Sequence, residues 1–106
     1  MAVAVAVSLG EVTATIAALV EQCRATRGLR PAGALAALSW LTGVSDRCPV
    51  SRVTRAANPV TVRAEAALAE QALRAGSGGA VPAVYAGGVL DAMLWALGRQ
   101  PSQPLI

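Results

Sequence analysis

The chain has 106 residues, enough for one domain with a modest core, and 24 of them are alanine while phenylalanine is absent. Nine arginines, no lysine and six carboxylates give a net charge of +3, and there is no histidine. The commonest general base, the Schiff-base nucleophile and the Glu-x-x-His pair of a di-metal bundle are therefore all excluded.

Residues Ala2–Val7 alternate two apolar residue types and specify no buried face, so an extended arm, an added strand and a frayed end are all open. No basic region precedes this stretch and Glu11 soon follows, so a signal peptide is not expected. Ser8-Leu-Gly-Glu11 has the spacing of a capping box. Val12, Ile16, Leu19, Val20 and Cys23 then recur at helical spacing, which predicts a first helix over Leu9–Arg27, stopped by Gly28. Pro31 suits the first turn of a second helix that carries Leu35, Leu38, Leu41 and Thr42 and ends at Gly43. The short link between the two predicts an antiparallel hairpin.

Val44–Pro59 has two readings, a short helix capped by Asp46 with Pro49 in its first turn, or a loop. Asn58-Pro59 starts a third helix that runs to Ala75, with Val62, Ala66, Ala69 and Leu73 on its apolar side. Glu70 and Arg74 form an i,i+4 pair on its wet side. Gly76-Ser-Gly-Gly79 is a turn, since no Gly-Lys-Ser/Thr follows to make a phosphate loop. Pro82 opens a fourth helix through Tyr85, Leu90, Met93, Leu94 and Leu97 to Gly98. Gly87 and Gly88 cost about 1 kcal/mol each inside it, which implies another backbone passing close. Gln100–Ile106, with two prolines, reads as an extended tail.

One stretch occurs twice, 55 positions apart. Gly33, Leu35, Ala37, Trp40, Gly43 and Pro49 return without a gap as Gly88, Leu90, Ala92, Trp95, Gly98 and Pro104. Chance matching in an Ala/Leu-rich chain is the plain alternative, but Trp-x-x-Gly with Pro six residues on, found twice in register, favours duplication. The expected fold is all-α: four helices from two pseudo-repeated hairpins, about 8–51 and 58–106, in a single domain with an N-terminal arm and a C-terminal tail. Trp40 and Trp95 stand about 200° around their helices from the residues Leu38 and Met93. They pack inside the domain or meet a second chain. Asp91 is either an exposed edge residue or a partner for an arginine or an indole N–H.

No catalytic, cofactor or metal residues emerge. Glu65 and Glu70 do not share a helix face, and Cys23 and Cys48 match no metal or redox spacing. Cys48, between arginine and proline, could have a lowered pKa. The longest uncharged runs, Pro31–Ser45 and Ala75–Leu90, span 15 and 16 residues, too few for a membrane crossing, and a reducing cytoplasm is the default location. The arginine-only bias, with abundant alanine, valine and glycine, looks like the product of GC-rich coding and is weak evidence for nucleic-acid binding, although a pI near 9.7 permits it.

Two resemblances bear on function. Leu38-Ser-Trp-Leu-Thr-Gly-Val-Ser45 followed by Val50-Ser-Arg-Val53 resembles the headpiece of lactose-repressor-type regulators over about a third of the chain. That likeness implies a helix-turn-helix-like segment at 35–57, with Arg47, Ser51, Arg52 and Arg55 as nucleic-acid candidates. One extra residue and Pro49 interrupt its recognition helix. The duplicated Trp-x-x-Gly…Pro pattern, with Tyr-Ala-Gly-Gly-Val-Leu-Asp-Ala between the copies, is similar to small proteins of actinobacteria, their phages and mobile elements. This implies a cytoplasmic accessory setting and supplies no activity. The leading expectation is a non-enzymatic module that forms a homo-oligomer and binds a protein partner, without a membrane. Its interface candidates are Trp40, Trp95, Leu94, Asp91, Val3, Val5 and Val7. A DNA-binding regulator is second, and a phage structural component a distant third.

Overall fold

A computed structural model describes residues 9–26, 28–75 and 82–98 as four α-helices and a connecting loop. They are α1 Leu9–Thr26, α2 Leu29–Leu41, α3 Pro59–Ala75 and α4 Ala83–Ala96. The expected all-α, four-helix arrangement is the one found. Ser8 of the proposed capping box, Val3, Val5 and Val7 of the arm, and the tail beyond Gly98 lie outside the described residues.

α3 begins where its residues dictate. The Asn58 side-chain carbonyl accepts from the amides of Val60 and Thr61 at 2.9 and 3.0 Å, and Thr61 Oγ1 accepts from the Asn58 amide at 2.9 Å. Reciprocal bonds of this kind satisfy amides that the first helical turn leaves without partners. α2 starts at Leu29, with Gly28 as extended N-cap, which leaves Pro31 in the first turn as expected. Pro31 is the third helical residue, where an amide hydrogen is still not needed.

The helices form two hairpins, α1 on α2 and α3 on α4, that meet through α2 and α4, the most extensive contact in the chain. This central pair is pseudo-symmetric in detail. A Cβ on Gly33 would overlap the Tyr85 carbonyl and stand 3.2 Å from the Val89 amide nitrogen. A Cβ on Gly88 would overlap the Arg30 carbonyl and stand 3.1 Å from the Ala34 amide nitrogen. Residues 30, 33 and 34 become 85, 88 and 89 under the 55-residue offset, so each glycine receives the other helix's equivalent backbone. The helix ends match too. Gly43 and Gly98 take φ of +80° and +76°, and their amides return to Trp40 and Trp95 carbonyls at 3.1 and 3.0 Å.

The outer helices repeat at an offset of 50. Val12, Thr15 and Leu19 of α1 are buried, and so are Val62, Glu65 and Ala69 of α3. The apolar side of α3 is therefore turned from its expected position: Glu65 faces inward and Leu73 is exposed. The difference in offsets, 50 against 55, places five extra residues between α3 and α4, where the Gly-rich stretch lies.

Both tryptophans lie inside the chain, Trp40 1 % and Trp95 3 % exposed, so neither offers a face to a partner. Of the two readings, packing within the domain is the one found. α4, apolar nearly all round, is enclosed by α2, by α3 and by the connector that ends against Tyr85. Asp91 is ion-paired across the central contact with Arg30.

Candidate functional site

The connector 44–58 is neither a recognition helix nor a plain loop. Cys48 donates to the Val53 carbonyl at 2.9 Å and Arg55 to that of Asp46 at 2.8 Å, closing a short antiparallel hairpin with Arg47 bridged to Thr54. The helix-turn-helix-like reading of 35–57 is corrected here. After Gly43 the chain has no helix until Pro59, because Pro49 supplies no amide hydrogen and other groups take the remaining bonds.

Those groups come from the helices. Glu65, only 4 % exposed, accepts on one carboxylate oxygen from the amides of Val50 and Ser51, both at 2.9 Å. The Tyr85 hydroxyl donates to the Pro49 carbonyl at 2.8 Å, and the Trp40 indole to the Arg55 carbonyl at 2.7 Å. Charge-assisted bonds from a buried carboxylate are among the stronger ones available to a loop. Sequence reasoning weighed Glu65 only as a member of a poor acid/base pair and missed this role. The available signal was a carboxylate at a position where α1 carries buried Thr15.

Burial shifts two groups upward. The Cys48 thiol is held above its usual range by desolvation, with the Ser51 hydrogen bond and Arg55 pulling less strongly the other way. The idea of a lowered pKa at Cys48 is corrected accordingly. The Tyr85 phenol is raised for the same reason, against the nearby Arg52 charge. Both groups are neutral when protonated, and folding favours that form. Their contribution is complete below the unfolded-state values and is lost as pH rises towards the folded ones. Melting temperature should therefore be level through neutral pH and fall above pH ~9. Tyr85→Phe should remove part of the fall while lowering neutral stability by ~1–3 kcal/mol, since Pro49 loses its buried donor. A melting temperature unchanged up to pH ~11 would contradict this.

The most prominent concavity lies between α3 and α4, a groove of about 580 Å³. Val62 and Ala66 form one wall, Leu90, Met93, Leu94 and Leu97 the other, with Arg63 and Glu70 at the rim. Its origin is legible in the repeat. Where α1 carries Ile16, α3 carries Ala66, which lines the groove, and the space the larger side chain would fill is left open. Leu90, Leu94 and Leu97 stay half-buried as a result. Of the four interface candidates among the described residues, Leu94 alone lines this groove; Trp40 and Trp95 are in the core and Asp91 is tied to Arg30. Arg47, Ser51, Arg52 and Arg55 are brought together on the hairpin, all exposed.

Among the described residues no group of three or more His, Cys, Asp or Glu is placed to hold a metal ion, and no helix is long and apolar enough to cross a membrane. Comparison with protein-family models, with curated proteins and with solved structures gives no match.

Proposed function

We propose that the protein is a non-enzymatic helical interaction module that self-associates, with the α3–α4 groove as its contact surface and a second copy of the chain as its partner. The observation behind this is the groove itself, apolar along its length and rimmed by opposite charges. Arg63 and Glu70 are seven residues apart on α3, two turns or about 10 Å. Two copies related by a twofold axis across the groove would set α3 antiparallel to α3, each Arg63 opposite the partner's Glu70 and Leu94 near the axis. Such an interface is self-complementary, as a closed dimer requires. An accessory role in a phage or mobile element, in the cytoplasm, belongs to the same reading, as does a further protein partner.

Light scattering across micromolar concentrations should give a mass above that of one chain. Leu94→Arg should give a folded monomer by circular dichroism. Arg63→Glu and Glu70→Arg should each raise the dimer dissociation constant about tenfold or more, by setting like charges face to face. The double reversal should recover most of the loss. A wild-type monomer at every concentration would rule the proposal out, as would a double reversal weaker than both single changes.

A further inference from the structure

The connector hairpin suggests a second activity on a different face. Six carboxylates serve the whole chain. Glu21, Glu70 and Asp91 pair with Arg24, Arg74 and Arg30, and Glu65 is spent on backbone amides. Among the described residues Arg47, Arg52 and Arg55 form no salt bridge with a carboxylate, although three arginines fall within nine residues. Asp46, the acidic residue nearest them in the chain, lines a separate cleft beside Trp40.

These arginines are also displayed on a rigid support. The bonds from Glu65, Tyr85 and Trp40 hold the hairpin at its tip and at its base. Arg52 has φ of +65°, a left-handed conformation that side-chain-bearing residues rarely adopt. Its guanidinium lies 5.4 Å from the centre of the Tyr85 ring, which holds the group's plane while its N–H edge remains free to donate. Between the hairpin and α2 is a cleft of about 240 Å³, lined by Arg47 and Arg52 together with Ser39 and Ser45. Two arginines and two serines around one small concavity supply the residue types whose side chains donate to phosphate oxygens. Arg55, with Thr54 beside it, stands on the second limb of the hairpin, exposed, where it lines a neighbouring cleft on the α3 side with Ser51 and Thr61.

We propose that the cleft between α2 and the hairpin binds a backbone phosphate of duplex nucleic acid, with Arg55 on the next phosphate and no reading of base sequence. A duplex is favoured over a single strand by the aromatic inventory. Single-strand binders stack bases on exposed aromatic rings, and the three aromatic residues here, Trp40, Trp95 and Tyr85, are all buried. No helix enters a groove in this arrangement, so affinity comes from released counterions.

The test is fluorescence anisotropy of the full chain with a labelled ~20-base-pair duplex at several salt concentrations. Three arginine contacts predict a log–log salt slope of roughly −2.7 per chain, about double if two chains bind together. Arg47→Gln with Arg55→Gln leaves the Arg52–Tyr85 stack intact and should reduce the slope to about a third, with an unchanged circular dichroism spectrum. The Leu94→Arg monomer should retain the per-chain slope, which separates this site from the groove. No duplex binding at ~50 mM salt, a slope unaltered in the double variant, or tighter binding to the single strand or to inorganic phosphate would each overturn the proposal.

Discussion

Alanine at Gly33 or Gly88 should cost at least ~3 kcal/mol, although alanine is the better helix former by about 1 kcal/mol. The reason is the target of the added methyl. At each position it meets a main-chain carbonyl of the facing helix, Tyr85 for Gly33 and Arg30 for Gly88, which cannot rotate away as a side-chain tip can. The helices must separate, and Ala34, Ala37, Val89 and Ala92, all fully buried, lose contact together. Because the two glycines are equivalent under the internal repeat, their costs should agree within about 1 kcal/mol, and the double variant should cost less than the sum, since one separation relieves both clashes. Urea unfolding of the two single variants and the double variant measures this. A stabilised Gly33→Ala would show that α2 and α4 do not approach as closely as described.

Trp40→Ala should be the most damaging single truncation. Large-to-small changes of buried aromatic residues cost ~3–5 kcal/mol, which applies to Trp95→Ala as well. Trp40 carries a further load, the bond to the Arg55 carbonyl that fastens the hairpin, so its loss should add roughly 1 kcal/mol or more. Trp40→Phe separates the two contributions by retaining most of the ring and removing the donor. Both alanine variants should lose stability as single chains, because the indoles are buried within the domain. If Trp95→Ala altered the mass of the assembly and left the unfolding free energy untouched, the tryptophans would belong to an interface after all.

Local residue chemistry by itself determined the four helices and most of their ends. Asn58-Pro59 marks the start of α3 because an Asn side chain and a proline each suit a particular unsatisfied position of the first turn. Gly43 and Gly98 mark two ends because a left-handed residue closes a helix there. The 55-residue repeat foretold the equivalence of α2 and α4, and Gly88 foretold a close backbone; at Gly87 the same expectation fails, since only the Arg30 and Leu73 side chains come near. What the tertiary structure decided is everything that depends on which groups meet across the chain. Glu65 and Pro49 are sixteen residues apart, and nothing local says that the carboxylate will turn inward to take the amides beside the proline. That contact goes with a turned α3, and it helps hold the candidate recognition segment as a hairpin whose arginines are left outside. The tryptophans show the same limit. Helical phase placed them off the leucine face, but only the fold could say that the chain's own connector and helices cover that side.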